Sequence, residues 1–317
     1  ADALAQDVTP HRLSVCVAAD GCTDGTAAAV RAVKDPRVRL VEFADHGGKI
    51  AALNRALLGI GGDVVAFSDA NSHFVPGALA ALLAPFGDPK VGGVCGAPRV
   101  AVARSGWLGL AEQLYWAYDN ALKRGEDALG GAVSAQGSLY AMRRGLIGPI
   151  PLSVADDFYI STAAPAAGLR LAFAPGAVAV EEVSGATKRE FGRRVRSTER
   201  GWRGLLMRGA LLNPFRHGAY AIQLLFHKFL RRLVPLMLTA LLPLSALLAG
   251  QHWIYATAFA GQVALYAAAL GAALLPALRR LPGVPVAFFL VGAQVAMAMG
   301  LGRVALGLHS RSWKPVR

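Results

Sequence analysis

The sequence predicts an α/β domain with a mostly parallel sheet, followed by basic amphipathic helices and a C-terminal transmembrane helical region. Three observations predict it. Short valine-rich runs alternate with helix-spaced segments through the first 183 residues, the pattern of strand–helix–strand units with right-handed crossovers. The 317 residues are 54% hydrophobic and 17% charged, which excludes intrinsic disorder. Mean hydropathy is +0.41, high for a purely soluble chain, and three uncharged apolar runs close the sequence.

The expected strands are Leu13–Ala18, Val38–Phe43 and Asp63–Phe67, each short, apolar and bounded by turn residues. Gly25–Lys34 and Lys49–Ile60 lie between them with apolar residues at helical spacing. Pro76–Phe86, a stretch over 106–122 and Phe158–Ala167 are further expected helices. The 106–122 stretch carries Trp107, Tyr115, Trp116 and Tyr118, aromatics that serve core packing or an acceptor surface. Ligands in parallel α/β sheets sit at the carboxyl ends of the strands, so the polar residues there are the ones to weigh. These segments make up a first domain over 1–186.

Residues 187–232 form a second zone. Lys188, Arg189, Arg193, Arg194, Arg196, Arg200, Arg203 and Arg208 interleave with Phe191, Trp202, Leu205 and Leu206, the composition of helices lying on a membrane surface. The third zone, 233–317, holds uncharged runs at Leu233–Gly250, Trp253–Leu278 and Val284–Gly302. A span needs about 20 apolar residues, so two to three spans are expected. No acidic residue follows Glu199, whereas 201–317 carries 12 Lys and Arg. Lys228, Arg231 and Arg232 precede the first run and Arg279 and Arg280 follow the second. The positive-inside rule then puts residues 1–232 in the cytoplasm. The third run breaks the pattern: if it spans, Arg303, Arg311, Lys314 and Arg317 fall outside, so it is either re-entrant or interfacial, or an exception to the rule. No acid lies inside the runs, which argues against a transporter. The arginines adjoin membrane segments rather than a soluble basic module, which argues against nucleic-acid binding. Cys16, Cys22 and Cys95 form no C-x-x-C pair and suit a reducing compartment.

Four groups of residues carry candidate chemistry. Asp20 ends the first strand in Asp20-Gly21-Cys22-Thr23-Asp24-Gly25-Thr26, where a carboxylate either accepts from a ligand or belongs to a capped corner. His46-Gly47-Gly48-Lys49 precedes a helix; its glycines allow close phosphate approach and its lysine adds a point charge, but the Walker spacing is absent. Asp69 and Asn71 follow the third strand. Two oxygen ligands two residues apart on extended chain face one side and suit Mg²⁺ or Mn²⁺ with substrate phosphates. Asp156-Asp157 opens a helix, where acids either answer the helix dipole or divide capping and general-base roles.

These segments, in this order and followed by these spans, resemble the family 2 glycosyltransferases of GT-A fold, in the membrane-bound branch around cellulose synthase and poly-N-acetylglucosamine synthase. The resemblance covers about residues 11–317. It rests on the Asp20–Thr26 motif (D-G-S-T-D-G-T in the family), Gly48-Lys49 with Ala52-Leu53-Asn54 (G-K-x-x-A-L-N), and Asp69-Ala70-Asn71 at the D-x-D position. Gly137-Ser138-Leu139-Tyr140 through Arg143-Arg144 (G-x-x-Y-x-x-R-R), Asp156-Asp157, His227-Lys228 and Trp313 continue it.

The resemblance implies an inverting glycosyltransferase at the cytoplasmic face of the inner (plasma) membrane. Asp20, Lys49, Asn54 and Asp69 would bind the nucleotide-sugar, expected to be a UDP-sugar, with Asp20 at the base. Asp69 and Asn71 would hold Mg²⁺ or Mn²⁺. Asp157, with Asp156, would be the catalytic base. Gly137, Tyr140, Arg193 and Arg196 would face the acceptor or the diphosphate. A lipid-linked or saccharide acceptor and membrane lipids are the implied partners. Three departures shape the expectation. The family's first strand, ahead of Asp20, is expected to be missing. Asn71 is a neutral ligand and weakens metal binding. Arg193-Arg194-Val195-Arg196-Ser197 replaces the Q-x-x-R-W of processive members, so single transfer is favoured over a processive polysaccharide synthase. A catalytically impaired scaffold of the same fold is the remaining alternative.

Overall fold

A computed structural model describes residues 2–101, 107–182 and 187–308. The chain forms two compact units. The first draws on residues up to 182 and on 204–224. It contains β1 (Val15–Asp20), α1 (Thr26–Ala32), β2 (Val38–Phe43), α2 (Lys49–Leu57), β3 (Val64–Phe67), β4 (Ser72–Phe74), α3 (Ala78–Leu83), β5 (Val91–Ala101), α4 (Trp107–Ala128), β6 (Tyr140–Arg143), α5 (Asp156–Ser161), α6 (Ala163–Ala166) and β7 (Arg170–Glu182). After the end of α7 (Thr187–Met207) come α8 (Pro214–His217) and α9 (Ala219–Leu224).

The three valine-rich runs are strands and the two segments between them are helices, as expected. The sheet is mixed rather than mostly parallel. β1 and β2 pair in parallel as a separate ladder. Five strands follow the order β3-β6-β5-β7-β4. Within it β5 and β7 are parallel, whereas β6 runs against both β3 and β5 and β4 against β7. The alternating pattern does not disclose β5 and β7 because their sequence is rich in glycine and alanine, nor β6 because it is only four residues long.

Successive residues of β6 and β7 are buried, and they enter two cores in alternation. Tyr140 and Met142 of β6, with Leu171 and Phe173 of β7, enter a core shared with Ile50 and Leu57 of α2 and Ile160 of α5. Leu139, Ala141, Ala172 and Ala174 enter a second core with Leu79 and Leu82 of α3. Successive side chains leave a strand on opposite faces, so one sheet organises both cores. Each fully buried leucine or methionine contributes about 1.5–3 kcal/mol. Arg143 and Arg144 of the expected R-R motif brace this sheet. Arg143 donates to the carbonyls of Phe86, Asp88 and Val91, and Arg144 to those of Leu57, Ile60 and Ile147. The 204–224 segment closes the unit: Tyr220 Oη donates to Val133 O at 2.8 Å, and the Arg208 guanidinium lies 4.2 Å over the Tyr159 ring.

The second unit draws on the first part of α7, a π-helical turn at Leu225–Leu230, α10 (Arg231–Leu248), α11 (Trp253–Leu274) and α12 (Val284–Ala305). Three helices, Ala219–Leu248, Trp253–Leu274 and Val284–Ala305, are long and apolar enough to cross a membrane. Leu247, Trp253, Leu270 and Leu274 are among the exposed apolar residues, as lipid-facing positions are. Between these helices Gln262 Nε2 donates to Leu238 O at 2.6 Å and to Tyr266 Oη at 2.8 Å. α7 packs on α12, where a Cβ on Gly300 would lie 2.8 Å from Thr198 Cβ. Beside that contact Glu199, 2% exposed, pairs with Arg303 at 2.9 Å and with Arg203 at 3.3 Å. The last acid of the chain thus neutralises the arginine at the end of the third run. The uncharged runs gave no sign of this pairing, because the acid lies about 100 residues upstream.

At the corner after β1, Gly21 has φ +60° and an added Cβ would come within 2.6 Å of His46 N. Gly21→Ala is therefore expected to destabilise the first unit by roughly 1–3 kcal/mol, read as a lowered chemical-denaturation midpoint.

Candidate active site

The carboxyl ends of β1 and β3 and the start of α5 converge on one cleft. Asp20, the last residue of β1, accepts from Gly47 N at 2.9 Å and Gly48 N at 2.7 Å. His46 Nδ1 lies 2.9 Å from the same carboxylate. Asp20 therefore shapes the turn that opens α2, and that turn delivers Lys49 as the first residue of the helix. Lys49 Nζ lies 2.7 Å from Asp69 Oδ1 and 2.9 Å from Asp156 Oδ2. Asp69 follows β3 and Asp156 begins α5, so one ammonium ties together three segments far apart in sequence. Partial burial lowers the Lys49 pKa, but the Asp156 and Asp69 carboxylates outweigh it and leave the group well above the usual lysine range.

The opposite wall comes from the segment entering β6. A Cβ on Gly137 would lie 3.0 Å from Asp69 Oδ2, a tight contact that glycine avoids and that a larger residue would relieve by a small shift of the carboxylate. Ser68 Oγ donates to Ser138 O at 2.9 Å. Tyr140 stacks on Phe67 with ring centroids 4.8 Å apart. The cleft has a free volume of about 560 Å³ including its open mouth, and Lys49, Asp69, Gly137, Tyr140 and Asp156 line it with Cys16 and apolar residues of α2 and β3. Tyr140 is 1% exposed and its hydroxyl has no hydrogen-bond partner among the described residues. Burial, then the Asp156, Asp157 and Asp69 carboxylates, push its pKa well up, so it stays a neutral donor. Buried polar atoms are nearly always bonded, and Tyr140 is among the residues that line the cleft.

Other expected residues are not among those lining the cleft. Asn54 spends both ends of its amide on Ile150, donating to its carbonyl at 2.8 Å and accepting from its N–H at 2.9 Å; it holds the segment ahead of α5. Asn71 is exposed two residues beyond Asp69. Asp157 Oδ1 accepts from Phe158 N at 2.7 Å, and Asp157 is not among the cleft-lining residues. Arg193 and Arg196 belong to the second unit. Partial desolvation, then Arg200 and Arg193, lower the Arg196 pKa, the mark of a cluster of like charges. The side chains of Trp107, Tyr115, Lys188, Arg189 and Trp313 lie outside the described residues.

Sequence reasoning missed the support behind the Gly137 wall. On α4, buried Asp119 and Lys123 sit 3.2 Å apart. Gln136 donates to Asp119 at 3.1 Å and Glu126 accepts from Val133 N at 3.0 Å. On α5, Ser161 Oγ accepts from Ala135 N at 3.0 Å. Spacing of i, i+4, i+7 for Asp119, Lys123 and Glu126 was the available signal; it reads equally as a solvated helix face.

Among the described residues, no three His, Cys, Asp or Glu side chains gather into a metal cluster. A divalent ion needs fewer protein ligands when substrate phosphates supply the rest. The Asp69 carboxylate and the exposed Asn71 amide are hard oxygen donors of that kind, so the donor set fits such an ion.

The family model described as Glycosyltransferase like family 2 matches residues 1–204. An N-acetylglucosaminyltransferase of Azorhizobium caulinodans is 26% identical over 183 residues, which is 53% of this chain and 46% of the relative. The chain thus matches about half the length of that relative. Among solved structures, a mannosyltransferase from Pyrobaculum calidifontis in complex with GDP-Man and Mn²⁺ superposes with a TM-score of 0.61 at 24% identity, over 93% of this chain and 78% of that one. That likeness shows the fold. The chain belongs to glycosyltransferase family 2, and its α/β unit has the GT-A fold followed by apolar helices.

The orphan hydroxyl of Tyr140 gives a direct check. Tyr140→Phe is expected to leave the melting temperature of the free protein unchanged, because it removes an unbonded polar atom. Ligand affinity in the cleft should fall by up to about tenfold, the worth of one hydrogen bond. Calorimetry with UDP- and GDP-sugars reads both.

Proposed function

We propose that the chain transfers a sugar from a nucleotide-sugar to a hydroxyl acceptor at the cytoplasmic face of the plasma membrane, with inversion at the anomeric carbon. The observation that carries the reading is Lys49 held between Asp69 and Asp156 at the strand ends. Support comes from the family match and from the relatives' names, an N-acetylglucosaminyltransferase and a mannosyltransferase bound to GDP-Man and Mn²⁺.

In this reading the nucleotide-sugar occupies the cleft with its diphosphate toward Lys49, whose charge offsets that of the phosphates. Asp69 and Asn71 would hold Mg²⁺ or Mn²⁺, and the ion would supply charge neutralisation on the diphosphate. Asp157 takes the acceptor hydroxyl proton while the acceptor oxygen bonds to the anomeric carbon. The bond from that carbon to the diphosphate oxygen breaks, and its electron pair leaves with the nucleotide. Asp156, tied to Lys49, sets the charge of the site. Asp20 holds the turn bearing Lys49 and lies on the nucleotide side. Gly137 and Tyr140 line the sugar and acceptor side. Arg193 and Arg196 suit an anionic acceptor or diphosphate, because a guanidinium fork matches phosphate oxygens. The apolar helices and the basic face of α7 favour a lipid-linked acceptor and contact with membrane lipids. The absence of Q-x-x-R-W favours a single transfer.

Nucleotide release from a panel of UDP- and GDP-sugars, in detergent or nanodiscs with and without Mn²⁺, tests the proposal. One donor should release nucleotide in a metal-dependent way. Asp157→Asn should lower kcat by about 10²–10⁴-fold with the donor KM little changed, the range for loss of a general base. A larger loss in Asp156→Asn than in Asp157→Asn would move the base role to Asp156. Silence across the panel, with no nucleotide bound, would leave a non-catalytic scaffold.

A further inference from the structure

Lys49 holds one of the two oxygens of the Asp69 carboxylate. Its ammonium lies 2.7 Å from Asp69 Oδ1 and also holds Asp156 Oδ2 at 2.9 Å. A divalent ion bonded to that Asp69 oxygen at about 2.1 Å would sit within about 5 Å of the ammonium. Two cations sharing one carboxylate at that separation repel strongly in a partly desolvated cleft. The second carboxylate offers no easy alternative, since Asp156 is bound to the same lysine.

The turn before Lys49 bears on the same point. The glycine N–H groups of Gly47 and Gly48 face the Asp20 carboxylate, so they are already bonded. The phosphate-facing cation of this turn is then Lys49 itself, at 44% side-chain exposure in the mouth of the cleft. An arriving diphosphate gives the ammonium a partner of higher charge than either aspartate.

We propose that Lys49 is a resident cation that holds the Asp69 oxygen until a nucleoside diphosphate draws it away, so that the nucleotide binds before the metal. This rests on the proposed glycosyl transfer and adds an order of binding to it. Metal alone is disfavoured, and nucleotide and metal bind with positive coupling. By linkage, each raises the affinity of the other by the same factor.

The test is Mn²⁺ binding to the full chain in detergent, followed by the loss of the free-ion electron paramagnetic resonance signal, with and without UDP or GDP. Wild type should bind Mn²⁺ weakly alone and at least tenfold more tightly with the nucleotide it accepts. Without nucleotide, Lys49→Met should bind Mn²⁺ at least tenfold more tightly than wild type, whereas Lys49→Arg, which keeps the charge, should match wild type. Adding Asp69→Asn to Lys49→Met should abolish the gain, which locates the ion. Thermal melts establish that each variant folds, and Lys49→Gln replaces Lys49→Met should the latter not fold. Equal or weaker Mn²⁺ binding in the charge-removed variant, with nucleotide binding intact in wild type, would overturn the resident-cation role alone. Wild type that binds neither UDP nor GDP with Mn²⁺ would overturn the proposed function and this role with it.

Discussion

Everything assigned to the cleft depends on one double ion pair. Lys49 reaches two carboxylates, one at the end of β3 and one at the start of α5. Its energetic weight is small, because partly exposed pairs contribute about 0–1 kcal/mol after solvent screening. Its weight is positional. Lys49 stands at the head of α2 because Asp20 bonds two consecutive glycine N–H groups ahead of it. Asp69 packs closely against Gly137, which has no Cβ to crowd it. Backbone hydrogen bonds and close packing therefore bring the three charged groups together, and the double ion pair joins the segments that carry them.

The sheet explains why such distant residues meet. β6 lies between β3 and β5 and runs against both, which carries Gly137 and Ser138 to the end of β3 where Asp69 emerges. A buried polar set on α4, Asp119, Lys123 and Glu126, with Ser161 of α5, fixes the segment leading into β6. A half-satisfied buried polar group is costly, so this set ties the wall of the cleft to the stability of the unit. The second unit follows a different economy. Its helices expose leucines and seat the charges they do hold: Glu199 is buried between Arg203 and Arg303.

Local features were legible in the sequence. The three valine-rich strands, the helix beginning at Lys49, the Asp69 and Asp156 positions and the three apolar helices all come from periodicity and punctuation. What periodicity cannot convey is which ends meet. Asn54 and Asp20 both stand in motifs that suggest ligand contact, yet the structure spends Asn54 on Ile150 and Asp20 on the Gly47-Gly48 turn. The Glu199–Arg303 pair spans about 100 residues and leaves no local trace. β5 and β7 escape a periodicity reading because glycine- and alanine-rich strands bury little side chain per residue, and β6 because four residues carry too short a pattern.

The central claim is that the Lys49, Asp69, Gly137–Tyr140 and Asp156 segments form one nucleotide-binding site. Hydrogen exchange followed by mass spectrometry, with and without UDP or GDP and Mn²⁺, tests it most directly. The account predicts joint slowing of exchange in segments 46–52, 68–72, 136–141 and 155–159, with the far ends of α1 and α3 unchanged. Protection confined to one of these segments, or appearing only in the apolar helices, would contradict it.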